Sequence, residues 1–134
     1  MKYVIAVDPG REKCGLAVVS SSDTVEHLVA ARRDTLAQMS IWIKAYPVHA
    51  IVIGDGTGSR QFIAELKQKY PSWEPLVQIV DERFSTEEAR KRYFQENPPR
   101  WLARLLPLSM LTPPCPVDDY VAVLLAERYL KKLI

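Results

Sequence analysis

The sequence predicts one α/β domain over residues 1–134, built on a mixed five-stranded sheet with helices on both faces. Three observations carry that expectation. Short apolar runs bounded by turn residues recur along the chain and read as strands. Longer segments between and after them repeat apolar residues at helical spacing. The order is three strands first and then helices alternating with two more strands, which implies an antiparallel opening joined to a parallel portion through right-handed crossovers.

The elements follow in order. Residues 2–8, KYVIAVD, form the first strand, which stops at Asp8. Pro9-Gly10 reads as a tight turn, because Pro presets φ and Gly tolerates positive φ. The next apolar run, Cys14 to Val19, follows too closely for a helical crossover, so the pair is an antiparallel hairpin. Val25 to Ala31 reads as a third strand with imperfect alternation. Asp34 is the expected N-cap of a helix carrying Leu36, Met39, Ile43 and Tyr46 on one side, ended by Pro47. Residues 49–53, HAIVI, read as a buried strand. The loop Gly54-Asp55-Gly56-Thr57-Gly58-Ser59 leads into a helix with Phe62, Ile63, Leu66 and Tyr70 on one face. Residues 76–80, LVQIV, read as another buried strand ending at Asp81-Glu82. Ser85 and Glu88 make a capping box that opens a helix to about Gln95. Residues 97–116 are Pro-rich and irregular, and the last helix runs from Val117 to Lys132.

Composition narrows the class. Apolar residues are 48% of the chain and charged residues 25%, so the chain can bury a core and is not a disordered segment. The net charge of +2 does not by itself argue for nucleic acid. The basic residues are concentrated, however: Arg83, Arg90, Lys91, Arg92, Arg100 and Arg104 face only Glu87, Glu88 and Glu96 in that stretch. Such a segment either tracks phosphates or is a solvated surface. Cys14 and Cys115 have neither disulfide-framework nor zinc spacing. The opening MKYVIAVD gains charge too early for a secretory signal, and no apolar run reaches the ~20 residues needed to cross a bilayer, so the cytoplasm is the expected compartment and no membrane partner is expected. The oligomeric state is not written in the sequence.

Carboxylates fall at strand ends. Asp8 closes the first strand and Asp81-Glu82 the last. Ligands of open α/β sheets bind along the carboxyl edge of the strands. Neighbouring carboxylates repel unless a cation lies between them, and Mg²⁺ takes oxygen ligands. Asp8-Pro9-Gly10 is equally a sound turn, and Asp81-Glu82 equally a helix entry. Asp118 and Asp119 add acids in the first turn of the last helix, where the macrodipole favours them in any protein. Asp118 aligns with Ala122, Leu125 and Tyr129, and Asp119 with Ala126 and Leu130, so both columns are apolar and periodicity does not choose between them.

Asp8-Pro9-Gly10 with Gly15, Asp81-Glu82-Arg83 with Ser85-Thr86 and Ala89, and Val117-Asp118 with Ala122, Leu125 and Tyr129-Leu130 together resemble the YqgF family. These are Holliday-junction-resolvase-like proteins, a branch of the RNase H-like superfamily related to the RuvC resolvases. The resemblance covers nearly the whole chain in motif order and spacing. It implies an RNase H-like fold whose second strand is antiparallel. It also implies a Mg²⁺- or Mn²⁺-dependent nuclease acting on ribosomal RNA precursors or branched DNA. By motif position the catalytic acids are Asp8, Glu82 and Asp118, with Asp119 a second candidate metal ligand. Arg83, Arg90, Arg100, Trp101 and Arg104 are the expected nucleic-acid contacts. A catalytically inactive nucleic-acid-binding module of the same fold is the alternative. A phosphotransferase or ATPase of the actin-like kind, whose first strand also begins with Asp near glycines, is a third reading. Such folds need two lobes to enclose nucleotide, these 134 residues supply one, and failure of ATP to raise the melting temperature would remove that reading.

Other features read as structural. The glycine-rich loop lacks a P-loop lysine, although its backbone could meet a phosphate. His27 and His49 are isolated. Trp42 and Trp73 read as packing aromatics, whereas Trp101 between Arg100 and Arg104 is placed to stack on a base.

Overall fold

The computed structural model describes residues 2–21, 23–56, 58–81, 85–97 and 118–132. Five strands form one sheet: β1 Tyr3–Asp8, β2 Lys13–Ser20, β3 Thr24–Ala31, β4 Val48–Gly54 and β5 Val77–Val80, in the spatial order β3-β2-β1-β4-β5. β2 is antiparallel to both β1 and β3, and β4 and β5 run parallel to β1. The mixed sheet with its antiparallel second strand is the arrangement expected from the sequence. Four α-helices join it: α1 Arg32–Ala45, α2 Ser59–Lys69, α3 Ser85–Glu96 and α4 Asp118–Lys132.

Strand alternation divides the core in two. Val4, Ala6, Ala17, Val19, Val52 and Val80 point to one face, where they meet Ala89 of α3 and Val121, Ala122, Leu125 and Ala126 of α4. Ile5, Val7, Leu16, Val18, Ile51 and Ile53 point to the other, against Met39 and Trp42 of α1 and Phe62 and Leu66 of α2. β1 and the inner residues of β4 are buried on both faces, which is why they read as unbroken apolar runs. Trp42 and Trp73 are packing residues, and the Trp73 ring stacks on Tyr70 with centroids 3.9 Å apart.

Three local expectations are corrected. Asp34 is not the N-cap of α1. β3 passes into α1 without a loop, so the cap position is Ala31, the Arg32 N–H bonds the Glu12 carbonyl at 2.8 Å, and Asp34 lies within the first turn. β5 is not a buried strand: as the sheet's edge it leaves Gln78 exposed and Ile79 62% exposed. Leu76 belongs to a 3₁₀ turn over Pro71–Leu76, initiated by Pro71 and carrying Pro75, rather than to the strand.

Candidate active site

Asp8 is the last residue of β1, half-buried, with Gly15 as its register partner on β2. Two-residue alternation from Val4 and Ala6 puts Asp8 on the face covered by α4. Gly15 explains how close that cover comes. A Cβ on Gly15 would run into the Asp118 carbonyl and stand 2.8 Å from the Asp119 nitrogen. The first turn of α4 therefore rests directly on the strand backbone beside Asp8. Neighbouring strands lie about 4.8 Å apart, so the start of α4, with Asp118, stands at the same corner of the sheet as Asp8, 110 positions away in sequence.

The neighbouring strand ends level with Asp8. Val7 pairs with Ile53, which brings Gly54 to the position next to Asp8, and Gly54 pairs in turn with Val80. Gly54 is buried and brings no side chain between the end of β1 and the end of β5. The exit of β5 is held from α4: Arg128 Nη1 donates to the Asp81 carbonyl at 3.1 Å, and Nη2 lies 3.3 Å from Glu88 of α3. Arg128 is thus a positioning residue that sequence reading missed, and the long side chain about three turns into a helix carried no signal of its target. Glu82 and Arg83 lie outside the described residues.

The structure separates the two aspartates of α4. The half-exposed His27 on β3 donates Nδ1–H to Asp119 Oδ2 at 2.7 Å, so Asp119 is engaged by the sheet's edge strand. His27 is therefore not isolated, as its sequence context suggested. The Tyr120 ring lies 4.9 Å from His27, and its hydroxyl is pushed up to about 12 by burial and by the Glu96 carboxylate. Asp118 is half-buried at the corner with Asp8. Among the described residues no three His, Cys, Asp or Glu side chains converge into a ready metal cage. Asp8 at the end of β1 and Asp118 at the start of α4 are half-buried carboxylates on adjoining elements, and carboxylate oxygen is the donor type that Mg²⁺ or Mn²⁺ takes.

The expected basic rim is only partly visible. Arg90 is exposed on α3. Arg92 is not available to phosphate, because its guanidinium bonds Glu127 at 2.6 Å and that hydrogen bond raises its pKa further. Arg100, Trp101 and Arg104 lie outside the described residues. In the glycine-rich loop the Asp55 N–H bonds the Val80 carbonyl at 3.0 Å and the Ser59 N–H bonds the Gly56 carbonyl at 3.1 Å, so two of its donors are used internally rather than offered to a phosphate.

Comparison with known proteins follows the same line. The family described as "RuvX: Holliday junction resolvase" matches residues 2–104. No curated protein sequence matches significantly. Among solved structures, T. thermophilus RuvC in complex with Holliday junction substrate is similar with a TM-score of 0.58 at 14% identity, over 99% of this chain and 96% of that one. That likeness establishes the RNase H-like fold. Archaeoglobus fulgidus Pelota aligns over 98% of this chain but 38% of its own, at 17% identity and a TM-score of 0.47.

Proposed function

The chain belongs to the RuvX family of Holliday junction resolvases, a nuclease family, and from that premise we propose a divalent-metal-dependent endonuclease that hydrolyses phosphodiesters of structured nucleic acid. A four-way DNA junction is the first substrate to test, because the family description names it, and a ribosomal RNA precursor is the second. The observation that carries the reading is the seating of the first turn of α4 on Gly15, which brings Asp118 to Asp8.

We assign the metal to Asp8, Glu82 and Asp118, with residues 1–134 acting as one domain. Mg²⁺ or Mn²⁺ bound there supplies a water activated for attack on phosphorus and stabilisation of the leaving oxygen. The protein's own contribution is placement. Asp8 is fixed by the strand ladder at the last register position of β1, and Asp118 by the helix that Gly15 admits. Asp119 stays with His27 and braces that helix against β3, so Asp118 rather than Asp119 is the assigned ligand. Arg128 ties the exit of β5, from which Glu82 follows two residues after Val80, to the same helix. Arg90, with Arg83, Arg100, Trp101 and Arg104, is assigned to the nucleic-acid backbone and bases. Phosphate contacts of this kind position a substrate without reading its sequence. No described helix is long and apolar enough to cross a membrane, and a cytoplasmic location is part of the proposal.

The test is cleavage of a four-way junction and a ribosomal RNA precursor with Mg²⁺ or Mn²⁺, comparing wild type with Asp8→Asn. Loss of an outer-shell partner typically costs 10–100-fold at a metal site, so loss of a ligand should cost more than about 100-fold. Cleavage that survives Asp8→Asn, or that proceeds in excess chelator, would replace this reading with one in which the acids are structural. Nucleic-acid binding without cleavage by the wild type would point to the inactive module.

A further inference from the structure

On the face of the sheet opposite α4, the β1–β2 turn, the start of α1 and the end of α2 enclose an open groove of about 830 Å³. Arg11, Arg32, Arg33 and Lys69 line it, against the carboxylates of Glu12 and Glu65. Arg32 is committed to the fold: it donates to the Gly10 carbonyl at 2.8 Å, reaches Glu65 at 3.3 Å and lies over the Phe62 ring. That pairing neutralises one of the two acids and leaves Arg11, Arg33 and Lys69 in excess over Glu12.

Arg11 and Arg33 are exposed and make no ion pair with any described residue. Arg33 stands in the first turn of α1, a helix without a side-chain N-cap. Asp34 shares that turn and suits the positive end of the macrodipole, whereas Arg33 gains nothing from it. An anion in the groove would gain from the guanidinium groups and the helix end together.

We propose that this groove holds the phosphate backbone of a second arm of a branched nucleic acid whose scissile strand lies at Asp8 and Asp118. The inference rests on the nuclease reading for the first arm. Its geometry comes from the turn. Pro9-Gly10 follows Asp8 directly, and the Gly10 carbonyl is the acceptor that Arg32 holds at the groove. The acids and the groove therefore flank one turn but open on opposite faces of the sheet. A straight duplex seated on the α4 face would have to bend sharply within a few base pairs to enter the groove, which is costly for a polymer with a persistence length of about 150 base pairs. Arms that diverge at a branch point reach both faces without that bend.

The test is fluorescence-anisotropy titration, in metal-free buffer at several salt concentrations, of a four-way junction and a linear duplex of equal length. Wild type, Arg11→Ala/Arg33→Ala, Arg33→Lys and Asp8→Asn are compared. Both arginines are exposed, and an unchanged melting temperature verifies the fold of the double variant. The salt slope is close to one per phosphate neutralised. The double variant should therefore lose about two units of slope on the junction and bind it at least about tenfold more weakly, while its duplex binding stays as in wild type. Arg33→Lys should keep the slope. Asp8→Asn, which removes a negative charge beside the scissile strand, should bind both substrates at least as tightly as wild type and keep the wild-type difference between junction and duplex. An unchanged junction slope in the double variant overturns the proposal, as does an equal loss on junction and duplex or the absence of junction binding by wild type. Loss of junction slope in a protein that proves unable to cleave would keep the groove and remove the nuclease reading.

Discussion

Gly15→Ala puts one methyl group between the sheet and the start of α4, and the structure sets how much must move. Carbon atoms settle at about 3.5–4.0 Å from their neighbours, whereas the added Cβ would stand 2.8 Å from the Asp119 nitrogen and closer still to the Asp118 carbonyl. The helix start therefore has to retreat by more than about 1 Å. Both obstacles are backbone atoms, so no rotamer change relieves the overlap. The retreat also loosens Ala122 and Leu125, which are fully buried against the sheet. Overpacking of this kind costs about 1–3 kcal/mol, which for a chain of this length lowers Tm by about 4 °C per kcal/mol. Activity should suffer further, because a displacement of about 1 Å at a reacting centre can cost about 100-fold. Urea unfolding and single-turnover cleavage, measured on the same preparation of a variant that remains folded, separate the two effects. A variant with the wild-type urea midpoint and wild-type cleavage would refute the close seating of α4 on Gly15.

The other predictions concern the acids and their neighbours. Asp8→Asn should leave stability unchanged or raise it when no metal is bound, because it relieves repulsion at the carboxylate corner; a clearly lower denaturation midpoint would make Asp8 structural. His27→Ala removes the partner of a largely buried carboxylate and should cost about 1–3 kcal/mol, with Asp119→Asn in the same background restoring part of the loss in urea titrations. Tyr120 binds its proton more tightly in the folded state, so the stability it contributes is complete below pH 10 and disappears as pH rises toward about 12. Tyr120→Phe should therefore flatten the fall of the urea midpoint over that alkaline window, and an unaltered fall would remove the linkage.

The parts of the molecule legible in the sequence are those whose physics is local. β1 reads as a buried strand because its β-branched run is covered on both faces, and the hairpin follows from a turn too short for a crossover. Both apolar columns of α4 face the sheet, as the projection required, through Ala122, Leu125 and Ala126. What was not legible depends on partners far along the chain. The Asp34 cap was misplaced because β3 hands its backbone directly to α1, and a strand-to-helix junction without a loop has no side-chain signature. β5 looked buried because apolar content does not tell a central strand from an edge strand. The partner that sets Asp119 apart from Asp118, His27, lies 92 positions away. Gly15 belonged to the motif that carried the resemblance, but its reason, the close approach of α4, exists only in three dimensions.

The account stands on Asp8 and Asp118 acting as one site, and single-turnover cleavage of a four-way junction in Mg²⁺ by Asp118→Asn, compared with Asp119→Asn and Asp8→Asn, tests it most directly. The prediction is that Asp118→Asn and Asp8→Asn each fall by more than about 100-fold, beyond the effect of losing an outer-shell partner, while Asp119→Asn, whose carboxylate serves His27, keeps most of the rate once its folding is matched. Cleavage by Asp118→Asn at the wild-type rate, or a collapse confined to Asp119→Asn, would contradict it.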